Sequence, residues 1–165
     1  MNVHCYCGRG YEIPRKVKKE LLVGFDAFCG EECLYQLLVD EGRTDLRVKD
    51  WQGVEPSQMD EPTEFWCKET RRFFRSRIEA TFARWCDANV IKWEYEPYTI
   101  RFKENQTYTP DFWLPEYSYF IEVKGAWGGS AKKKLRKTRS FGFLIALVPT
   151  HLVYRLTRIK IRSNQ

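Results

Sequence analysis

The stretch Tyr108-Thr-Pro-Asp-Phe-Trp-Leu-Pro-Glu-Tyr-Ser-Tyr-Phe-Ile-Glu-Val-Lys-Gly125 constrains this chain more than any other. It reads as two short strands with a turn at Leu114 to Tyr117, where Pro115 breaks the first strand. Alternation along the second strand sets Tyr119, Ile121 and Val123 on one face and Phe120, Glu122 and Lys124 on the other. An acid and a base within so apolar a strand are costly to bury without partners. If the strands pair, Asp111 approaches both Glu122 and Lys124. Two neighbouring carboxylates repel unless one is protonated or a cation lies between them. A hard ion such as Mg2+ takes oxygen ligands and usually keeps several waters, which makes Asp111 and Glu122 candidate ligands. The ordinary alternative is a surface hairpin carrying a Glu-Lys pair on its solvent face.

Length admits one ordinary domain or two small ones at 165 residues, and 43% hydrophobic with 16% aromatic content is ample for a core. No apolar run approaches the roughly 20 residues that cross a bilayer. The start, Met1-Asn-Val-His-Cys-Tyr-Cys, lacks a secretory pattern, so a cytoplasmic protein without a membrane partner is expected. A net charge of +6 suits an anionic partner such as nucleic acid. The six cysteines, in a chain expected to stay reduced, are more often metal ligands than disulfides.

Cys5 and Cys7 form one cysteine pair, and Cys29 and Cys33 a second. The second pair opens Phe28-Cys-Gly-Glu-Glu-Cys-Leu-Tyr-Gln-Leu-Leu38, where Leu34, Leu37 and Leu38 have helical spacing. Cys29 and Cys33 would share one side of that helix's first turn. Four thiolates gathered so suit a structural, tetrahedral Zn2+. The pattern resembles a treble-clef finger, in which a knuckle and a helix start each give two ligands. A knuckle normally has two residues between its ligands; His4 with Cys7 has that spacing, which keeps His4 open as an alternative to Cys5.

Glu41 to Met59 lacks sustained periodicity and reads as a connector. Asp60-Glu-Pro-Thr then predicts the start of a long helix, with Phe74, Ile78, Phe82 and Trp85 at helical spacing and Asn89 to close it. Glu79 lies beside that stripe, although Ser76 and Glu79 also fit a capping box at a restarted helix. Arg71, Arg72, Arg75 and Arg77 form a basic cluster, a solvated face or a set of phosphate contacts. Val90 to Pro97 alternates, with Ile91, Trp93 and Tyr95 on one face, and Tyr98 to Phe102 alternates again before a polar turn at Lys103 to Gln106. Glu96 fits either a solvent-facing strand position or a place beside the site. After a glycine-rich loop, Ser130 can cap a helix from Ala131 to about Thr138, with Lys132, Lys133 and Lys134 in its first turn and Lys137 beyond. Cations there oppose the helix dipole, whereas a phosphate held between them and the open amides would explain them. Phe143 to Val148 is an apolar run suited to a buried parallel strand, reached by a right-handed crossover.

Pro110-Asp111 followed by Glu122-Val123-Lys124, with a helix-borne acid upstream and a basic helix downstream, resembles the PD-(D/E)XK nuclease superfamily over about Thr63 to Val148. Within it the motif order looks like phage endonucleases and junction-resolving or transposon-end nucleases. The resemblance implies an α/β (α+β) fold, with a central mixed β-sheet flanked by helices in a restriction-endonuclease-like core. The small N-terminal zinc-binding domain would stand beside it. The expected division is a zinc-finger-like domain at 1–45, a linker at 46–62 and a nuclease domain at 63–165. By the same resemblance Glu79, Asp111, Glu122 and the Val123 carbonyl bind Mg2+ or Mn2+, and Lys124 completes the catalytic set. DNA would be the partner, contacted by Arg71, Arg72, Arg75, Lys132, Lys133, Lys134 and Lys137. The host cytoplasm follows for a phage-encoded chain, and paired cuts on two strands would favour a homodimer. The reading from a different class is a non-catalytic, zinc-containing DNA-binding or adaptor protein on a nuclease-like scaffold.

Overall fold

The computed structural model describes residues 2–4, 10–12, 31–42, 52–124, 129–149 and 152–153. At the N-terminus β1 (Asn2–His4) pairs antiparallel with β2 (Gly10–Glu12). The helix α1 (Glu31–Glu41) buries Leu34, Leu37 and Leu38, the stripe that their three- and four-residue spacing predicts. Within the segment expected as a linker, Val54–Pro56 forms a strand, β3.

Two short strands, β4 (Phe65–Cys67) and β5 (Arg72–Phe74), pair as an antiparallel hairpin where a continuous helix was expected. The helix α2 spans only Arg77–Ala88. Period-two alternation explains the difference, since Cys67 and Phe74 turn into the core while Trp66 and Phe73 face outward. The helical spacing from Phe74 to Ile78 and Phe82 straddles a boundary that Ser76 sets as the N-cap. Asn89 closes the helix, its backbone amide and side-chain amide both donating to Trp85 O.

The alternation from Val90 yields a shorter strand than expected, β6 (Glu94–Tyr95), although Ile91, Trp93 and Tyr95 do pack into one cluster. Then come β7 (Tyr98–Arg101), a 3-10 turn at Lys103–Asn105, and β8 (Thr107–Tyr108). The expected hairpin follows as β9 (Phe112–Leu114) and β10 (Tyr119–Lys124). Next, α3 (Gly129–Ser140) leads to β11 (Ile145–Pro149), which pairs parallel with β10.

A mixed four-stranded sheet, ordered β11-β10-β9-β6, forms the centre, and a second sheet has the order β3-β7-β8. Both faces of β10 are covered, as suits its nearly continuous apolar character. Tyr119, Ile121 and Val123 pack with Leu34, Leu37, Phe82 and Trp85 from α1 and α2. On the other face Phe120 packs with Trp113, Leu135, Leu147 and Tyr108. A solvent-facing Glu-Lys pair is excluded by that coverage, because Glu122 retains only 3% of its accessible surface. The architecture is a mixed α+β one.

Candidate active site

The β9–β10 register places the site. Tyr119 lies opposite Leu114, Phe120 opposite Trp113 and Ile121 opposite Phe112, so one further step sets Asp111 opposite Glu122. Residues directly opposed in an antiparallel pair share a face. At that step β9 has ended, and Asp111 is held in place by two bonds. Its Oδ2 accepts from the Val123 amide at 2.7 Å, and its carbonyl accepts from the Glu96 amide at 2.8 Å.

Glu122 is satisfied on both oxygens. Tyr108 donates its hydroxyl to Oε2 at 2.6 Å, and Lys124 Nζ lies 2.9 Å from Oε1. Burial works to depress the Lys124 ammonium, but Glu122, Asp111 and Glu79 outweigh it and hold its pKa above the ordinary value. Tyr108 is pushed well upward, by burial first and then by the Glu122 charge, and so remains a donor. Asp111 also lies well above the ordinary carboxylate range. Desolvation is the largest cause, the charges of Glu122 and Glu79 add to it, and the Val123 hydrogen bond and Lys124 only partly offset them.

Glu79 reaches the same neighbourhood from the first turn of α2. The capping box is formed in both directions: the Glu79 amide donates to Ser76 Oγ, and the Ser76 amide donates to Glu79 Oε2. That oxygen also accepts from the Arg75 amide at 3.1 Å and from the Tyr95 hydroxyl at 2.6 Å. Glu79 thus works first as a cap. Among the described residues its Oε1, like Oδ1 of Asp111, accepts no hydrogen bond, and neither is a buried atom lacking a partner.

Two partners escaped the sequence reading, Tyr95 and Tyr108. Tyr108 opens the Tyr-Thr-Pro-Asp run three residues before Asp111, but nothing local shows that its hydroxyl reaches β10. Glu96 lies beside the site, paired with Arg75 Nε at 3.0 Å. Burial raises the Glu96 pKa, against the Arg75 contact.

The arginines differ from one another. The Arg75 guanidinium is committed to Glu96 and to the Asp60 carbonyl at 2.7 Å. Arg72 lies 3.7 Å from Glu61 and over the Tyr95 ring, whereas Arg71 is exposed at the hairpin turn. Because α3 begins at Gly129 rather than Ala131, Lys132 closes its first turn and Lys133 and Lys134 stand in the second. Lys133 and Lys134 are exposed, while Lys137 donates to Gln106 at 2.9 Å.

Of the expected zinc ligands, Cys5, Cys7 and Cys29 lie outside the described residues, His4 ends β1, and Cys33 is buried on α1 in the main core cluster. Among the described residues no group of three or more His, Cys, Asp or Glu is placed to hold a metal ion, and no helix is long and apolar enough to cross a membrane.

Comparison with known proteins falls on the same region. Residues 63–143 match the phage endonuclease I family. Endonuclease I of Escherichia phage T7 is 43% identical over 65 residues, covering 37% of this chain and 42% of that protein. Endodeoxyribonuclease 1 of Enterobacteria phage T3 is 40% identical over 67 residues, or 38% of this chain and 43% of the relative. The chain thus spans about two fifths of the length of these curated relatives. No solved structure gave a significant match. The likeness to phage endonuclease I therefore lies on residues 63–143, the segment that carries Glu79, Asp111, Glu122 and Lys124 together.

Proposed function

We propose that this protein is a metal-dependent DNA endonuclease of the PD-(D/E)XK kind, hydrolysing phosphodiester bonds either structure-specifically, in branched DNA or junctions, or as a nicking enzyme. The observation that carries the reading is the Asp111, Glu122 and Lys124 cluster at one end of β9 and β10, inside the segment similar to phage endonuclease I. The donor chemistry fits Mg2+ or Mn2+, since every candidate ligand is a hard oxygen. Mg2+ is commonly held by one or two carboxylates, with waters and substrate phosphates completing its shell. A pair is therefore enough, and the lack of a three-carboxylate group does not count against it.

Asp111, through its open Oδ1, and Glu122 would hold the ion, with the Val123 carbonyl and Glu79 Oε1 as further oxygens. A bound divalent ion supplies an activated water and offsets charge growing on the phosphate and leaving oxygens. Lys124, kept protonated by three carboxylates, orients the attacking water and neutralises charge on the scissile phosphate. Tyr108 fixes the Glu122 carboxylate, and the Glu96 amide fixes the backbone at Asp111. Lys132, Lys133, Lys134 and Lys137 on α3, with Arg71, Arg72 and Arg75, are the proposed DNA contacts.

A panel of labelled linear, nicked, flapped and four-way DNA, incubated with Mg2+ or Mn2+, tests this directly. Cleavage that disappears with chelator and in Lys124→Ala supports the reading. Metal-independent binding with no cleavage of any member would instead favour the adaptor protein. A structural Zn2+ on Cys7, Cys29, Cys33 and either Cys5 or His4 belongs to the same proposal, checked by elemental analysis of purified protein. A cytoplasmic homodimer that makes paired cuts is its last part, read from sedimentation.

A further inference from the structure

The β4–β5 hairpin carries a surface that the chemistry above leaves unused. Its register pairs Phe65 with Phe74, Trp66 with Phe73 and Cys67 with Arg72. Alternation then sorts the two faces. Cys67 and Phe74 point into the core, while Trp66 and Phe73 stay 51% and 39% exposed with ring centroids 4.9 Å apart. Past the last pair of the ladder, Lys68 and Arg71 lie at the two ends of the connecting turn, both exposed. One step the other way sets Glu64 opposite Arg75, where the two are paired at 3.8 Å. The hairpin therefore carries two exposed cations in its turn, two open aromatic rings on its outer face and an ion pair at its base.

Hairpin stability accounts for only part of this. A cross-strand aromatic pair does stabilise a two-stranded ribbon, but two exposed cations in its connecting turn have no part in that pairing. Arg71 sits at φ 53°, where glycine or asparagine is the usual residue. The nearby acid at the turn, Glu69, is already engaged by Arg84 at 3.2 Å. Exposed aromatics beside cations that no acid among the described residues pairs match a polyanion with flat apolar faces, which describes DNA with unstacked bases.

The location fits as well. Phe73 lies two residues before Arg75, whose amide touches Glu79 Oε2 at 3.1 Å.

We propose that the outer face of β4–β5 is a stacking platform for an unpaired DNA base, with Lys68 and Arg71 holding the flanking phosphates. The proposal rests on the nuclease reading for its partner, but its test does not require cleavage. Binding to a duplex with a single 2-aminopurine bulge and to the fully paired duplex would be measured without added Mg2+ or Mn2+, for the native chain, Trp66→Ala/Phe73→Ala and Trp66→Leu/Phe73→Leu. The leucine variant keeps an apolar cross-strand pair, so a hairpin that merely unravels is separated from one that no longer stacks. Both variants should bind the bulged duplex about tenfold more weakly or worse, the size of one lost stacked base. Affinity for the paired duplex should stay within about twofold, and 2-aminopurine quenching should be lost. Equal affinity of all three proteins for the bulge, an equal loss on both duplexes, or a change in sedimentation instead of in DNA binding would overturn it. A native chain that binds the bulge with quenching but cuts nothing would refute the nuclease reading and leave the platform standing.

Discussion

Glu122 and Asp111 face each other across two strands, yet their surroundings differ. Glu122 has a phenol on one oxygen and an ammonium on the other. Asp111 has one backbone amide on Oδ2 and nothing on Oδ1 among the described residues. The first carboxylate has a donor on each oxygen; the second lies where burial and two neighbouring carboxylates push its pKa well upward. Such asymmetry suits a binding site, where one ligand is fixed in advance and the other has an open coordination position. Glu79 gives a third case, a carboxylate whose engaged oxygen mainly caps a helix.

Removing the strained member should separate activity from stability most sharply. Asp111→Asn is expected to lower metal-dependent cleavage on the order of a thousandfold, as when a group acting directly on the transition state is lost. The same change should raise the melting temperature without added Mg2+ or Mn2+ near neutral pH by several degrees, in the range of about 1 kcal/mol. Because the folded Asp111 holds its proton more tightly than the unfolded chain, its contribution to stability is fully present below about pH 4 and falls as pH rises through the raised folded value. The advantage of the asparagine variant should therefore shrink on acidification, which thermal melts across pH would check. A variant that melts lower at neutral pH would contradict the comparison.

Lys124→Ala tests the other carboxylate and should have the opposite effect on stability. Cleavage should disappear while DNA binding persists, and melting should fall because buried Glu122 loses its counter-charge, a cost of about 1–3 kcal/mol. Unchanged turnover would remove Lys124 from the chemistry.

The two phenols sharpen the contrast, since each donates to a carboxylate at 2.6 Å. Tyr108→Phe should reduce cleavage about 10- to 100-fold, as the loss of a group that orients a ligand does. Tyr95→Phe should change cleavage far less, because Glu79 keeps two amide donors on the same oxygen. Side-by-side rates at saturating Mg2+ decide it, and equal losses would make Glu79 as central as Glu122. The smallest effect is expected from Ser76→Ala, about 1 kcal/mol of stability from the lost cap with cleavage retained.

How much of this was legible beforehand depended on how far each signal reached along the chain. The β9–β10 hairpin, its two faces and the parallel strand β11 each followed from alternation or from an apolar run inside one segment. The stretch from Thr63 to Arg75 misled, because Phe74 fits the helical stripe of Ile78 and Phe82 while its strand pairing with Phe65 is invisible to local spacing. Val54–Pro56 read as connector for a similar reason, since only its ladder to β7 makes it a strand. The Arg75 pairing with Glu96, 21 residues later, is likewise invisible to local spacing.

By itself the sequence determined which side chains share a strand face, where α2 could restart, and that Asp111, Glu122 and Lys124 would meet if two adjacent strands paired. Those are consequences of backbone geometry over a few residues, which neighbouring composition specifies. Only the tertiary structure decided that Tyr108 rather than Tyr95 serves Glu122, that Asp111 keeps an oxygen open, and that Trp66 and Phe73 stay outside the core. Each depends on elements far apart in the chain settling together, where burial and charge are set by the whole fold.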